Sequence, residues 1–428
     1  FGRLKLQTML AQKKSAAQTV NSRGGVQLTD FEFSASDYDE NRHFFLAHFF
    51  RNHYDQWMTQ LPNILSGVTI NRIELWVTNK SAATTNTRNL IALTDLGEAK
   101  KFNNKVWVAT PNDVAPSNGS NNAYNFITQT APKVRDITQS NAQLDAMDLV
   151  GGEDYEKLES ARLLSSSEYS LNSALGYVSL KSTLQPDQVL AVAFEYTYRV
   201  QTYQVGEFST DVKDNTQALL VKSLKNTANT PKMGNWKLMM RNVYALGATA
   251  VQRERFSLDI KYLSDTTGVD ISYLPIPRLK DKRLLSLLGL DNLDNNARRV
   301  PNGYFDFVEG YTIDAASGRV FFPQVEPFGS FLANVIGDAD VARNFAYTEL
   351  YDSTRTIAKQ VAEHNKFVIK GRYKATKSDE IVLNTSGIPQ GSVVVTAGGQ
   401  ILTEGSDYTV DYSAGVVRIL NKSILDAG

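Results

Sequence analysis

The chain contains no cysteine. Disulfides, thiolate zinc sites and cysteine nucleophiles are therefore excluded. Neither sign of charge is in excess, because 45 Lys and Arg balance 45 Asp and Glu. A protein that grips nucleic acid by bulk positive charge needs a basic surplus to displace phosphate counterions, so that class is excluded as well. No apolar run reaches the ~18–20 residues of a transmembrane helix. The longest, Val189 to Tyr198, is about half that length. Hydropathy does not exclude membrane β-structure, since a barrel strand needs only about ten residues with alternating faces. The sequence has no H-E-x-x-H, no P-loop, no G-x-G-x-x-G and no G-x-S-x-G. It opens Phe1-Gly2-Arg3-Leu4, with no Met or signal peptide, and closes just after Val416–Leu420, which reads as a piece of something longer.

What is present is alternation with a period of two, the mark of strands. Leu190, Val192, Phe194, Tyr196, Tyr198 and Val200 form one face, with Val189, Ala191, Ala193, Glu195, Thr197 and Arg199 opposite. Phe256–Tyr262, Phe367–Tyr373 and Ile73–Val77 alternate in the same way. Nineteen Tyr and 20 Phe suit pleated, half-buried surfaces. Helices are fewer. The best expected one runs from about Asp39 to Leu61, with Leu46, Phe50, His53, Trp57 and Leu61 at three- and four-residue steps. Asp37 and Asp39 are its candidate N-caps and Pro62 its stop. Shorter helices are expected at Tyr155–Leu164, Leu284–Leu288 and Ala339–Tyr351.

Linker-like composition marks Ala82–Thr87, Pro111–Asn122 and Asn226–Asn235. Asp136–Ser160 carries seven acidic residues and one basic, and the first thirty residues hold five basic residues against Asp30. Both read as solvated surface. The last sixty residues hold closely spaced short strands, Glu380–Asn384, Ser392–Ala397, Gln400–Leu402, Asp407–Tyr412 and Val416–Leu420, after Phe367–Tyr373, with Gly398-Gly399 as a hairpin turn. The fold class expected is mainly β with a few helices, a β-rich α+β protein with jelly-roll- or sandwich-like sheets and a C-terminal immunoglobulin-like β-domain. Its expected parts are residues 1–30 as an N-terminal strand and linker, 31–264 as a sandwich-like domain with helical insertions, 265–364 as a mixed connection and 365–428 as the small β-domain. Leu4, Leu6, Thr8 and Leu10 alternate with Lys5, Gln7 and Met9, which fits either a barrel-strand end or an ordinary edge strand.

Chemistry is sparse. His43, His48 and His53 are five apart, which puts them on different helix faces, and His364 is remote. The segment Asp291-Asn292-Leu293-Asp294-Asn295-Asn296, with Asn302, Gly303 and Asp306, offers oxygen ligands. Leu293 stands where an alternating ligand should be, so Asx-turns are expected at Asp291, Asp294 and Asp306 ahead of a weak calcium site. Trp57, Trp76, Trp107 and Trp236 read as core, with sugar stacking as the other use. No catalytic, cofactor-binding or metal residue is assigned.

Several stretches resemble the SprA (Sov) family of Bacteroidota. They are Ile73–Asn79, Val205–Asp211, Trp236–Tyr244, Gly303–Gly310, Phe321–Gly329, Glu349–Thr354, Ile369–Tyr373 and Asp407–Tyr412, in the family's order across nearly the whole chain. The family often has an acidic residue where this chain has Asn302. The resemblance implies a non-enzymatic insert of the giant outer-membrane translocon of the type IX secretion system, also needed for gliding motility. It implies as partners the rest of the same β-barrel chain, other secretion components and folded cargo. No nucleic acid or cofactor is implied. The membrane would be reached only through the parent protein, with the extracellular cap as the favoured location. Asp265-Thr266-Thr267 and Asp352-Ser353-Thr354 also resemble the short O-glycosylation signal of exported Bacteroidota proteins. The alternative reading is a surface carbohydrate-binding or adhesive sandwich with exposed Trp and Tyr lining a groove.

Overall fold

Strands that alternate usually bury one face, yet several here bury both, and the reason is how the main sheet closes. The computed structural model describes residues 28–80, 85–98, 114–294, 296–375, 380–382, 389–397, 399–412 and 415–420. The strand expected at Leu4–Leu10, the basic residues before Leu28, Trp107, Asn295, Gly398 and parts of the segments 82–87, 111–122 and 380–384 lie outside them. The chain divides into a large unit, residues 28–376, and a small one that includes residues 377–428.

In chain order the large unit holds β1 (Leu28–Ser34), β2 (His43–Phe45), α1 (His48–Met58), β3 (Val68–Val77), β4 (Thr87–Leu93), α2 (Ala123–Thr130), α3 (Ser140–Asp145), β5 (Tyr155–Leu163), β6 (Tyr169–Asn172), β7 (Tyr177–Leu180), β8 (Leu190–Tyr198), β9 (Gln201–Val205) and β10 (Leu219–Lys225). There follow β11 (Val243–Ala245), β12 (Val251–Leu263), β13 (Asp270–Ile271), α4 (Leu284–Leu287), β14 (Ile313–Asp314), β15 (Arg319–Phe321), α5 (Ser330–Ile336), α6 (Ala339–Ala342), α7 (Glu349–Asp352), α8 (Arg355–Gln360) and β16 (Phe367–Ala375).

The main sheet runs β10-β4-β5-β3-β8-β9, and β10 also pairs with β8. Five strands therefore close into a barrel, with β9 as an outer flap. All pairings are antiparallel except β10 with β4. One hydrophobic cluster draws residues from all five barrel strands: Trp76, Leu90, Ala92, Leu158, Ala161, Ala191, Ala193, Leu219 and Val221, with Phe208. Four alanines leave the room that Trp76 and Phe208 fill, so the interior is a packed core with no channel through it. Outside the barrel, Leu75, Val77, Leu190, Val192, Phe194 and Tyr196 pack in the cluster that contains Phe49, Phe50 and Tyr54 of α1. On another flank Ile91, Leu93 and Leu220 meet Ala123 and Ile127 of α2 and Leu144 of α3. The expected β-rich α+β class is what the structure shows, and its main sheet takes the closed form.

Burial on both faces brings polar groups inside. Every residue of β10 is buried, Lys222, Ser223 and Lys225 included. Lys222 meets Glu98 at 3.1 Å and donates to the Thr94 carbonyl at 3.2 Å. Glu98 also accepts the His48 backbone N–H at 2.9 Å, supplying a partner at the start of α1, where Ala47 at the N-cap offers no side-chain bond. Asn226 and Asn235, read as the ends of a solvated linker, are buried. Asn226 donates to the Gly152 and Glu153 carbonyls, and Asn235 to Ser223 Oγ and Asn226 Oδ1.

Three further sheets complete the unit. β2-β7-β6 and β11-β15-β14 are small. β1-β16-β12-β13 is the largest of them, and in it β16 lies between β1 and β12. In the small unit, strands Glu380–Val382, Val416–Ile419 and Tyr408–Asp411 form one antiparallel sheet, and Thr396–Ala397 pairs with Gln400–Ile401 in a hairpin. Among its described residues Tyr408, Val417 and Ile419 are the buried hydrophobic ones.

Some local expectations change. The first helix begins at His48, because Phe44 and Phe45 belong to β2 and pair with Val178 and Tyr177. Asp37 and Asp39 do not cap it. Asp37 accepts the Ser34 N–H and the Lys359 ammonium, and Asp39 serves His43 and Arg319. Tyr155–Leu163 is a strand. A register shift against β4 at Arg88/Leu90, with Ser160 at φ +50°, turns Leu158 and Ala161, three apart, to the same barrel interior, while Tyr155 is buried on the opposite face; the three together imitate a helical spacing. Ala339–Tyr351 is two short helices separated by an irregular stretch. β8 stops at Tyr198, so Val200 sits in the turn, 99% exposed, off the apolar face it extends in sequence.

Candidate functional site

The acidic loop is held by its own backbone. Asp306 accepts the N–H groups of Asn292 at 2.6 Å and Leu293 at 3.0 Å. Asp291 accepts from Ser286 Oγ at 2.6 Å and the Gly303 N–H at 3.1 Å. Asp294 Oδ1 accepts from Asn296 and Arg298 N–H, and Oδ2 from Arg298 Nε at 2.8 Å. Leu293 is buried, so it anchors the loop and presents no ligand. Among the described residues no group of three or more His, Asp or Glu could hold a metal ion. Only Asp294 makes the expected Asx-turn; Asp291 and Asp306 instead tie Gly303, Asn292 and Leu293 together across the loop.

Burial, aided by the nearby Asp291, pushes the Asp306 carboxyl up to about 6. An unfolded Asp titrates near 3.9. Between these values the folded chain binds more protons, so this group's contribution to stability is present at low pH and is lost as pH rises from about 4 to about 6. Urea unfolding of wild type and Asp306→Asn at pH 4.5 and 7 checks this. The wild type is expected to lose more stability over the interval, by about 1–2 kcal/mol.

The histidines do not converge. His43 Nε2 lies 3.0 Å from Asp39 Oδ2, and Nδ1 lies 2.7 Å from Ser179 Oγ. That is the acid–imidazole–hydroxyl order of a nucleophilic site, but His43 has no exposed surface for a substrate to reach. Burial holds the imidazole below its ordinary pKa. Although burial alone would raise it, the His43 hydrogen bond and the Arg319 guanidinium keep Asp39 well below the usual carboxylate range. His43 and Ser179 face each other in the β2–β7 ladder, so the trio ties that pair to β15 through Arg319. His48 Nε2 contacts the Gly234 carbonyl, His53 stacks on Trp57, and His364 bridges Glu349 and the Arg343 carbonyl.

The three described tryptophans are buried, so they offer no stacking platform for sugars. Trp76 fills the barrel, Trp57 lies under His53, and Trp236 Nε1 donates to the Tyr351 carbonyl at 2.7 Å. Thr266 and Thr267 are exposed in a turn. Ser353 and Thr354 instead bond the ends of α7 and α8, with Ser353 Oγ donating to the Glu349 carbonyl and Thr354 Oγ1 accepting the Ile357 N–H.

What the structure brings together are the stretches that carried the resemblance. Glu74 in Ile73–Asn79 accepts both the N–H and the Oγ of Ser209, each at 2.8 Å, from Val205–Asp211. In that second stretch Gly206 turns at φ +77° against Ala193, and Phe208 enters the barrel with Arg72 3.8 Å above its ring. Glu207 then reaches Arg135, Tyr124 and the Leu220 N–H. Asn242 in Trp236–Tyr244 donates to the carbonyls of Phe322 and Gln324 in Phe321–Gly329. Gly329 lies against the Tyr351 ring, where an added Cβ would meet it at 2.6 Å. No local pattern marks Glu98–Lys222 or Arg135–Glu207, because the partners are 124 and 72 residues apart. Arg88 is likewise invisible in sequence, yet it donates to five acceptors in residues 209–217.

Residues 5–204 match the family model SprA_N, described as motility related/secretion protein. Over that span the chain is similar to the SprA family. The resemblance read from the sequence is thereby borne out over that span, and a motility- and secretion-related role comes with it. No curated protein matches the chain. Two of the interlocked stretches lie on either side of the end of the matched span, with Ile73–Asn79 inside it and Val205–Asp211 just beyond. The fold therefore joins the matched residues to their successors in one barrel. Among the described residues no helix is long and apolar enough to cross a membrane.

Proposed function

We propose that this chain is a rigid insert of the type IX secretion translocon, which frames the passage of folded cargo across the outer membrane and supports gliding motility. The observation that carries this reading is where the chain enters and leaves the large unit. Leu28, at the start of β1, is paired with Lys374 near the end of β16. Antiparallel partners are about 5 Å apart. A unit whose two ends lie side by side fits into a loop of a larger protein without displacing what flanks it.

The packed barrel supports the same reading from the other direction. Its interior is filled by Trp76, Phe208 and the aliphatic side chains around them, so the passage for cargo is built by the rest of the parent chain. The polar residues of the resemblance stretches hold strands and loops together. The partners on this reading are the parent barrel, the other secretion components and the cargo, on the extracellular side.

In-frame removal of residues 28–376 from the parent gene, bridged by a two-residue linker, tests the proposal. The expected result is a parent protein at normal level in the outer membrane, cargo retained inside the cell and gliding lost. Normal export and gliding from such cells would overturn it.

A further inference from the structure

Arg241 is a buried cation with no carboxylate of its own. It is 3% exposed. Its Nη1 donates to the carbonyls of Trp236 at 3.2 Å and Met239 at 3.3 Å, and the Trp236 ring lies 4.0 Å from the guanidinium carbon. Its Nε and Nη2 make no hydrogen bond of good geometry, and the nearby Tyr38 hydroxyl, the closest candidate acceptor, is poorly placed for one. Buried, unpaired charge is costly, and natural interiors almost always supply an opposite charge. Burial already pulls the guanidinium below its ordinary pKa.

A cavity of about 10 Å³ lies against this side chain, with Arg51, Lys237, Glu326, Met240 and Tyr351 among its walls. That space holds a single water-sized species. Its charged walls are three cations and one carboxylate. The carboxylate is already taken, because Glu326 accepts from Arg51 at 2.5 Å. Lys237 has Asp352 at 3.4 Å. Arg241 is the one of the three with no carboxylate within 4 Å, Glu40 acting on it only from farther away.

We infer that the cavity beside Arg241 seats a single halide ion, chloride under ordinary conditions. A water molecule would supply an acceptor for the guanidinium but no charge. Sulfate and phosphate exceed the space. A monatomic anion meets both needs, accepting from Nε or Nη2 beside the Met240 and Tyr351 walls. The site sits where Trp236–Tyr244 meets Val325 and Glu326, so its ion would brace the junction of two of the stretches described above.

Crystals of the 428-residue chain grown in sodium bromide test this directly. The expected result is an anomalous peak in the cavity, within hydrogen-bonding reach of Arg241. In parallel, Tm should rise by ~2 °C or more between low and 0.3 M chloride, relative to gluconate at the same ionic strength. Arg241→Met should abolish both signals. If that variant does not fold, the wild-type peak and the chloride–gluconate difference decide the matter. A cavity holding water with no anomalous signal, or equal Tm in the two salts, would overturn the inference.

Discussion

Gly371→Ala is expected to destabilise the large unit by about 3 kcal/mol or more, enough to unfold a marginal domain. Gly371 is central in β16, where it pairs with Phe31 of β1 and Leu258 of β12. A methyl group there would meet the Ser257 carbonyl oxygen at 2.0 Å and the Phe31 ring at 2.5 Å. The oxygen is backbone. It sits where β12 resumes pairing after its register shift between Gln252 and Ser257, so it moves only if the ladder opens. The Phe31 ring is also committed, lying 5.5 Å from Phe33 and 6.1 Å from Tyr373 in a stacked aromatic row. Gly268→Ala is the control. Nothing lies within 4 Å of its added Cβ, and only its φ of +67° opposes the change. It should cost about 1 kcal/mol. Urea unfolding of the two variants side by side checks the difference, and equal costs would contradict the packing assigned to Gly371.

Phe208→Ala is the second large effect, expected at about 3–5 kcal/mol. Its ring is 1% exposed among the small residues of the barrel interior. Removing it leaves a void that five hydrogen-bonded strands cannot collapse to fill, and it strips the Arg72 guanidinium of its ring contact. Phe208→Leu keeps most of the volume and should cost about 1–1.5 kcal/mol. If both variants cost the same small amount, Phe208 does not plug the barrel.

Much of the strand content was legible because side-chain alternation is a local property. β8, β12 and β16 fall where Leu190–Tyr198, Phe256–Tyr262 and Phe367–Tyr373 alternate. Closure of the sheet was not legible, since the pairing of β10 with both β4 and β8 joins segments more than a hundred residues apart in one case. The clue present in sequence was the second face of β8. Ala191 and Ala193 are too small and too apolar for a solvated face, and they line the barrel. Tyr155–Leu163 misled for a physical reason, because burial of both faces and a bulge between Leu158 and Ala161 together replace a period of two with a spacing of three. Asp294 read correctly as an Asx-turn because its bonds span two to four residues, whereas Asp291 and Asp306 bond across the loop over 12 to 14 residues and the buried partners of Glu98, Glu207 and Arg88 come from segments more distant still. In three dimensions Glu74 of one resemblance stretch is spent on Ser209 of another, and Asn242 on the carbonyls of Phe322 and Gln324.

The central claim is that these residues hold the fold and make no bonds with a substrate. Glu207→Gln and Glu74→Gln, placed in the parent gene, test it most directly when Tm of the isolated chain and cargo export by the cells are measured on the same variants. The account predicts that export declines only in step with folding stability. A variant that melts at the wild-type temperature but exports nothing would contradict it.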